Sequence, residues 1–403
     1  MIQVPGDYSR LTPALANAAP GDSILVGPGT YSPGTNLEAF PLFLTKDVHL
    51  LGAGAGACTL DAEGVASAII VSAPAGGRIS GFTITGGSGF NGGGVRIDQG
   101  TVEIDRNVIR GNEAQSQGAG IFIDAGEPWI HHNVVWESTD RDTVDAGDPH
   151  GIQTAGGSGT IEHNLIGRGD SNGLLVAGGD EPVVRNNIFF ENGIPGVRGR
   201  GICHFGGPGS VVAHNLFHGN AIAAVLINPG GGSVDLDPYE TNDISTEDGI
   251  YGNLAGDPMF VSADDGAWSL ILGSPAIDAG DPASPPDPDG TPADLGPYFF
   301  DQTPTGVPDP EFRPVRLAGF PNPFRSRMTV SYRVEEAGRV RIEAFDLRGG
   351  RVAVLRDGWA EPGTHRLQWN RGRDGDSPLP AGIYFLRMDA GDAIEVRRVT
   401  ALP

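Results

Sequence analysis

The sequence predicts an all-β protein in which a long parallel β-solenoid, with three strands in each turn, precedes a small β-sandwich. A short phrase built around one asparagine recurs along the chain, which is typical of a solenoid. The 63 glycines and 32 prolines among 403 residues are too many for a helical protein, and 39% apolar residues argue against disorder. After a proline-rich stretch, alternating strands replace the repeat, which indicates a second domain. We predict the solenoid over 1–300, the linker over 301–314 and the sandwich over 315–403.

The recurring phrase consists of a polar residue, an asparagine and an apolar run. Within Ile161–Gly193, two copies, HNLIGRG and NNIFFEN, flank the glycine-led run GLLV. A short alternating run precedes each copy and a glycine-led run follows most of them, so each repeat contains three short strands and no helix. The repeated asparagines, at steps of 26, 31, 23 and 28 residues, are Asn107, Asn133, Asn164, Asn187 and Asn215.

A structural role explains the repeated asparagine. Neighbouring turns of a solenoid lie about 4.8 Å apart, so identical side chains at equivalent positions touch. An inward asparagine at a bend can bond to the backbone of the bend and to the asparagine of the next turn, which satisfies buried amides. We therefore expect these asparagines to form a ladder at one corner of the coil.

The stretch 2–300 resembles the right-handed parallel β-helix proteins of the pectate-lyase-like superfamily, in particular their large, mostly uncharacterised secreted group. The opening ALANAAPGDSILVGPGTY resembles the helical cap of that group. The stretch GDPMFVSADDGAWSLILGSPAIDAGDPASPPDPDGTPADLGPY (Gly256–Tyr298) resembles its terminal cap. The resemblance implies a right-handed coil with both ends covered, so that no strand edge stays free to pair.

The C-terminal segment resembles the immunoglobulin-like sorting domains of bacterial surface proteins, including those read by type IX secretion. The matching features are PNPF at Pro321–Phe324, the FDLRGGRV turn, Trp369-Asn370 with its Asp-Gly loop, and AGIYF. About six or seven strands are expected there, as in a small sandwich. The chain ends in Leu402-Pro403 where these domains usually carry a basic residue, which leaves the sorting route open.

Charge and composition limit the classes of molecule that the protein is expected to bind. Residues 1–312 hold 11 basic and 39 acidic residues, net −28, whereas residues 313–403 hold 16 and 11, net +5. An acidic body repels nucleic acid and anionic membranes, which leaves cations, neutral glycans, and anionic glycans bridged by cations. No apolar segment reaches the roughly 18 residues of a membrane helix. The spacing of Cys58 and Cys203 fits no disulfide framework or metal motif, so we expect both to be buried small hydrophobes.

The resemblance implies a site on the outer face of the sheet made of the glycine-led strands. Asp98 and Asp124 are 26 residues apart, the same step as Asn107 to Asn133, so we expect them to stack on adjacent turns. Two carboxylates about 5 Å apart repel unless they share a cation or a proton. Alternation places Val95, Ile97, Ile121 and Ile123 inward, and Arg96, Asp98, Phe122 and Asp124 outward.

The longest insertion, ESTDRDTVDAGDPHG, leads into the same sheet beside Asp124. Ca²⁺ takes oxygen ligands and acidifies the proton beside a uronate carboxylate, so that Arg198 or Arg200, from GVRGRG, would act as the base. The alternative is that the acidic loop is simply solvated. The predicted calcium ligands are Asp98, Asp124, Asp142, Asp145 and Asp148, and the predicted sugar contacts are Arg96, Phe122 (an apolar platform), His150 and Gln153.

Other candidates each have a structural alternative. The motifs of polygalacturonases and of the best-known pectate lyases are absent. His132 and His163 each precede a ladder asparagine, and if they are neighbours they could bind zinc. Stacked imidazoles at a solenoid corner are more often structural. Asp287, Asp289 and Asp294 have the spacing of a calcium loop without the distal glutamate of an EF-hand, and would otherwise form a rigid acidic cap loop.

We therefore expect an exported bacterial surface protein, a monomer whose β-helix binds polysaccharide and whose C-terminal domain engages sorting or anchoring machinery. The first alternative is a calcium-dependent lyase that cleaves uronate glycans by β-elimination, and the second is a non-catalytic stalk or adhesin. Ca²⁺ is the one cofactor that the sequence suggests, and otherwise we expect none. The start MIQVPGDYSR lacks the features of a signal peptide, so an exported chain would be mature or truncated. The fold by itself does not decide among these functions.

Overall fold

A computed structural model of the chain describes residues 1–72, 76–140, 150–227, 234–236, 243–244, 249–303, 317–320, 327–334, 337–346, 350–361, 363–370, 379–390 and 393–401. The chain divides into two compact units, Met1–Thr303 and Pro304–Pro403. Two helices lie in the described ranges, α1 over Leu11–Asn17 and α2 over Pro33–Asn36, and both are far too short to cross a membrane.

The first unit is a parallel β-helix with three strands per coil, as predicted. Each coil visits three sheets in turn, which we name A, B and C. Sheet A contains Ile2–Val4, Ser23–Val26, His49–Gly52, Arg78–Ser80, Glu103–Asp105, Trp129–His131, Thr160–Glu162, Val183–Arg185, Val211–Ala213 and Ile250–Tyr251. Sheet B contains Gly29–Tyr31, Cys58–Asp61, Thr83–Thr85, Val108–Arg110, Val134–Trp136, Leu165–Gly167, Ile188–Phe190, Leu216–His218, Asn253–Ala255 and the antiparallel Asp243–Ile244. Sheet C contains Leu42–Leu44, Ile69–Val71, Val95–Ile97, Ile121–Ile123, Ile152–Thr154, Leu174–Val176, Arg200–His204, Ala223–Ile227 and the antiparallel Val234–Leu236.

The interior of the coil is built from columns of branched apolar side chains. In the sheet A strands from Arg78–Ser80 to Val211–Ala213, the central residue points inward and pairs in register with its equivalent on the next coil. Branched side chains suit this arrangement because they pack well against their neighbours on a pleated surface. The sheet A column, whose members are at most 1% exposed, consists of Ile79, Ile104, Ile130, Ile161, Val184 and Val212.

The repeated asparagines stack at the corner between sheets A and B, and none is more than 1% exposed. Asn164 Oδ1 accepts the backbone N–H of Asn133 at 2.9 Å and its amide N–H at 3.1 Å. Asn164 Nδ2 also donates to Ile130 O at 2.8 Å. The ladder continues one step further, to Asn253, which accepts from Asn215 across 38 residues of sequence.

The residue before each ladder asparagine adopts the left-handed backbone conformation. Residues other than glycine pay about 1 kcal/mol or more for this conformation. The chain accepts that cost at every coil because the bend leads from sheet A to sheet B and the ladder bonds flank it. The φ values are 53° at Arg106, 53° at His132, 50° at His163, 56° at Asn186 and 51° at His214.

A short helix, α1, forms where the sequence resembles an N-terminal helical cap. The carboxylate of Glu38 accepts the N–H groups of Leu11 at 2.6 Å and Thr12 at 2.9 Å, so it caps the start of α1. At the other end, the ammonium of Lys46, the single lysine of the chain, donates to Ala18 O at 2.8 Å. Both charges complement the helix dipole.

The segment Gly256–Tyr298, which resembles a terminal cap in sequence, packs on the side of the coil. Its hairpin, Phe260–Ser262 and Ala267–Leu270, and the residues after it pack along the outer face of sheet B. That face is apolar over several coils, so covering it buries a second hydrophobic cluster. This cluster contains Val134, Trp136, Leu165, Ile188, Phe190, Leu216, Trp268, Leu270, Ala276 and Leu295.

A fourth, smaller sheet, named D, is inserted between sheets B and C. It pairs three parallel strands from adjacent coils, Ser88–Asn91, Glu113–Gln117 and Thr139–Asp140. The C-terminal unit forms two antiparallel sheets around one buried cluster. Its strands are Leu317–Phe320, Met328–Val334 and Gly363–Trp369 in one sheet, and Gly338–Asp346, Arg351–Ala360, Gly382–Ala390 and Ala393–Ala401 in the other. The immunoglobulin-like assignment and the sorting role stay predictions.

Candidate functional site

The two aspartates predicted to stack occupy equivalent positions on adjacent coils of sheet C. Ile97 pairs with Ile123, and Asp98 and Asp124 follow these residues directly. The backbone N–H of Asp124 donates to Ile97 O at 2.8 Å, which extends the pairing beyond the strands. Asp98 accepts a hydrogen bond from Arg96 Nε at 2.5 Å, and Asp124 is exposed. A cationic side chain on the same strand therefore already balances the first carboxylate.

Phe122 is not the exposed platform that alternation predicted. Its side chain points outward in register with Arg96, yet it is only 1% exposed. The turn that follows the sheet D strand Glu113–Gln117 lies on top of it: a Cβ added at Gly118 would come within 2.9 Å of Phe122 Cβ. The same turn donates from Gly118 N to Gln153 Oε1 at 3.2 Å. Phe122 is therefore unable to stack against a sugar ring at the surface.

Gln153 and His150 are also buried, at 4% and 5% exposure, so neither is presented as a surface sugar contact. His150 Nδ1 lies 3.1 Å from Ser171 Oγ and 3.3 Å from Asn172 Nδ2. Both residues instead tie the loops that cover sheet C. The remaining predicted ligands of the acidic insertion, Asp142, Asp145 and Asp148, lie outside the described residues.

The two arginines proposed as the base lie further along the axis. Arg198 Nε donates to Asp170 O at 2.9 Å, and Arg200 N donates to Asn172 Oδ1 at 2.9 Å. Three strand steps of sheet C separate the coil of Arg200 from that of Asp124, or roughly 14 Å. The structure does not bring these arginines together with the aspartate pair.

The acids of the predicted calcium loop bond to the backbone around them. Asp289 accepts from Gln302 N at 2.7 Å, and Asp294 accepts from Phe300 N at 2.6 Å. Asp287 accepts from Asp294 N at 2.9 Å, while burial and nearby carboxylates raise the pKa of Asp287 to about 6. These contacts fit the rigid acidic loop that was the alternative to a calcium site.

A polar cluster that the sequence analysis missed lies on the outer face of sheet A. Glu103, Asp105 and His131 bring ligand atoms within 4.8 Å of one another, close enough to hold a metal ion. Arg78 already contacts both acids, donating to the two Asp105 oxygens at 2.7 and 2.5 Å and lying 3.4 Å from Glu103. Arg106 donates to Asp105 at 2.7 Å. We interpret the cluster as an ion-pair network in which guanidinium groups supply the positive charge.

Burial and ion pairing act in opposite directions on the pKa values of this cluster. Asp105 is fully buried, which alone would raise its pKa, but the hydrogen bonds from Arg78 outweigh burial and hold the pKa below its ordinary value. The pKa of His131 is lowered because burial disfavours the imidazolium. Asp105 is therefore charged and His131 is held neutral near pH 7, which suits a structural network.

Trp129 stands beside this cluster with 45% of its surface exposed. Its indole N–H donates to Glu162 Oε1 at 2.7 Å, and its ring centroid lies 4.0 Å from that of His131. The signal that could have revealed this face is the pair of outward positions in each sheet A strand. These pairs read Arg78 and Ser80, Glu103 and Asp105, Trp129 and His131, Thr160 and Glu162, and Val183 and Arg185.

The histidines before the ladder asparagines stack at the corner. His132 and His163 lie with ring centroids 5.0 Å apart and 11° between their planes. Burial first, then repulsion from the protonated forms of His163 and His131 and from Arg106, lower the pKa of His132 to about 4. In the described part of the chain, the metal-like grouping of acids and histidines includes His131 and neither of these two.

Comparisons with known proteins bear on the coil. No curated protein matches the chain. Among solved structures, the chain is similar to pectate lyase Pel9A, with 17% identity and a TM-score of 0.43, over 74% of this chain and 95% of the other. It is also similar to a PL6 family polysaccharide lyase from Pseudopedobacter saltans, with 14% identity and a TM-score of 0.21, over 72% and 98%. The family described as "Right handed beta helix region" matches residues 67–237, which agrees with the right-handed coil that the resemblance implied.

Proposed function

We propose that the protein is exported to the bacterial cell surface, where its β-helix binds polysaccharide and its C-terminal unit serves sorting or anchoring. The observation that carries the proposal is the polar margin of sheet C, where Asp98 and Asp124 occupy equivalent positions on adjacent coils and Arg96 pairs with Asp98. Coils recur about every 4.8 Å, so a solenoid offers polar groups repeatedly along its axis to a polymer that also repeats. The net charge of −23 disfavours nucleic acid as the alternative polymer.

A calcium-dependent polysaccharide lyase is the second candidate function. The exposed Asp124 follows Asp98 in register and lies on the coil before the insertion that carries Asp142, Asp145 and Asp148. In this proposal Ca²⁺ would bind these carboxylates together with a uronate carboxylate and acidify the neighbouring C–H. Because Arg198 and Arg200 lie roughly 14 Å along the axis from Asp124, a substrate would have to run along the axis to contact both regions.

A polysaccharide panel separates binding, cleavage and a bare stalk. Purified protein is tested for retention by each immobilised polysaccharide and for ultraviolet absorbance from new carbon–carbon double bonds. Retention without absorbance supports the binding protein, and absorbance that grows with time supports the lyase. If the protein neither binds nor cleaves any polysaccharide of the panel, the stalk takes the place of both.

Calorimetry with Ca²⁺ tests the proposed cation site directly. We expect wild-type protein to release or absorb heat on binding, and the double variant Asp124→Ala plus Asp145→Ala to lose that signal because two ligand oxygens are removed. The matched control is Asp265→Ala plus Asp301→Ala, which removes two exposed acids elsewhere in the same unit. Equal heats for all three proteins would show that the acidic insertion is solvated and binds no calcium.

A further inference from the structure

Trp129 is an exposed aromatic side chain whose orientation is fixed on two sides. The hydrogen bond from its indole N–H to Glu162, at 2.7 Å, sets the direction of the ring. His131 lies 4.0 Å away, centroid to centroid, with 32° between the ring planes, and supports it from the next outward position of the strand. A ring that is already ordered loses little conformational entropy when a ligand stacks on it.

The Glu162 carboxylate, which accepts from the indole, is itself fixed by an ion pair. Arg185 Nε donates to the other oxygen of Glu162 at 2.8 Å, and Arg185 Nη1 donates to Asp281 at 3.1 Å. Burial alone would raise the pKa of Glu162, but the bonds from Arg185 and Trp129 outweigh it and lower that pKa. Glu162 therefore stays ionised and keeps accepting from the indole.

A groove of about 300 Å³ opens beside the ring and crosses three successive coils. Glu127 and Pro128 line it from the coil of Trp129, Ser158 and Thr160 from the next coil, and Glu181 from the third. Its volume is at the lower end of the range for small-ligand sites. Three coils extend roughly 10 Å along the axis, so the groove is elongated in the direction of the solenoid.

We infer that this groove binds a neutral pyranose segment of a polysaccharide, with one sugar ring stacked on Trp129. A pyranose ring has an apolar C–H face, which matches the indole, and a rim of hydroxyl donors, which matches the carboxylates of Glu127 and Glu181. Glu127, Glu162 and Glu181 surround the ring with negative charge, which disfavours a uronate. Arg185 is committed to Glu162 and Asp281 and offers no net positive charge to an acidic sugar.

The groove is separate from the sheet C margin and goes beyond the proposed function by adding a second glycan site. The sheet C margin would take anionic sugar through calcium, whereas the sheet A groove takes neutral sugar without a metal. A protein with both would hold a mixed glycan across two faces of the coil.

Titration calorimetry on the full chain tests the inference, using cellohexaose, xylohexaose and mannohexaose as neutral probes and hexagalacturonate as the anionic one. We expect at least one neutral hexasaccharide to bind in the presence of a calcium chelator and to change the tryptophan fluorescence. Trp129→Ala should weaken that binding about tenfold or more, which corresponds to about 1.4 kcal/mol or more, because a central aromatic anchor carries a large share of the binding free energy. Trp129→Phe, which also loses the bond to Glu162, should keep most of the affinity because it keeps a stacking face.

Two control variants make the outcome decisive. Trp359→Ala removes a tryptophan that is 65% exposed in the C-terminal unit, and it should bind as wild type does. Asp265→Ala, which removes an exposed acid outside both proposed sites, should also bind as wild type does. The chelator keeps Ca²⁺ from the sheet C margin, so failure of the sheet C proposal and failure of this one are distinguishable. The inference is overturned if no neutral probe binds at millimolar concentration, if Trp129→Ala binds as wild type, or if hexagalacturonate binds the groove as tightly in chelator. Circular dichroism of each variant confirms that it is folded.

Discussion

At the scale of single residues, Asn164 shows that one side chain of a stacked coil can make several buried hydrogen bonds at once. Its amide group bonds to the asparagines of both neighbouring coils and to the carbonyls of Ile130 and Glu162, all inside a fully buried corner. Every one of these partners is itself buried. Removing the amide therefore leaves buried donors and acceptors without a hydrogen-bond partner, and water cannot reach them.

We expect Asn164→Ala to lower the free energy of unfolding by about 3 kcal/mol or more, because each buried group left without a partner costs about 1–3 kcal/mol. Urea denaturation followed by circular dichroism measures the change. Asn17→Ala is the control, since Asn17 is exposed and bonds only locally to Pro13 O. A loss no larger than that of the control would show that the ladder does not hold the corner.

The stacked histidine pair gives a pH dependence with a definite sign. The pKa of His132 is about 4 in the folded protein, against 6.5 in an unfolded chain, so the unfolded state takes up the proton first as pH falls. The stabilisation is fully present above pH 6.5 and is lost progressively between pH 6.5 and about 4. At pH 5 the loss from His132 amounts to about 2 kcal/mol.

The variant His132→Asn tests this dependence. Asparagine tolerates the left-handed conformation, and Asn186 already occupies the equivalent position two coils further on. We expect the urea midpoint of the variant to fall less than that of wild type between pH 7 and pH 5. Identical pH dependences for the two proteins would contradict the low pKa of His132.

At the scale of elements, the coil contains a second asparagine ladder, at the corner between sheets B and C. Asn192 donates from its backbone and its amide to Asn220 Oδ1, at 3.1 and 3.0 Å. One coil earlier the equivalent position is Gly169, and one coil before that it is Ser138. Among the described residues, neither Ser138 Oγ nor Asn192 Oδ1 has a hydrogen-bond partner, although both are buried.

We expect Gly169→Asn to complete this ladder and raise stability by about 1 kcal/mol, through the restored hydrogen bonds and the reduced freedom of the unfolded chain. A Cβ at Gly169 would lie 3.7 Å from Asn192 Oδ1, which places the new amide within reach, and 3.2 Å from Ser138 O, which is tight. The melting temperature measures the effect. Gly56→Asn is the control, because Gly56 is exposed with open space around it and gains only the entropy term. A melting temperature below that of the control would mean that the steric cost of the contact with Ser138 O exceeds the gain from the new hydrogen bonds.

At the scale of the whole molecule, the two compact units have separate hydrophobic clusters and opposite net charges. Separate cores favour independent folding, because few contacts are lost when the chain is cut between them. We expect a chain that ends at Asp309 to stay soluble, to unfold cooperatively and to keep any glycan binding, while it loses surface attachment. Denaturation curves of the truncated and full chains, together with cell fractionation, measure this. An insoluble or inactive truncated chain would contradict the division.

The sequence by itself determined the coil, its three strands per turn and the Asn107-to-Asn215 ladder. In a solenoid each residue touches its equivalent one repeat away, so contacts appear as a regular spacing in the sequence. The sequence did not predict Asn253 as a member of the ladder, because 38 residues separate it from Asn215, well beyond the earlier steps of 23 to 31 residues.

Only the tertiary structure decided what covers each outer face. Phe122 is buried because sheet D folds over it, and the outer side of sheet B is buried because a distant segment packs on it. That segment reaches the coil through contacts such as Arg185 to Asp281, 96 residues apart, and Asn186 to Ser284, 98 residues apart. Such contacts follow no repeat, and alternation only says that a side chain points outward. Whether an outward side chain then meets water, as Trp129 does, or protein, as Phe122 does, depends on which other parts of the chain pack against that face.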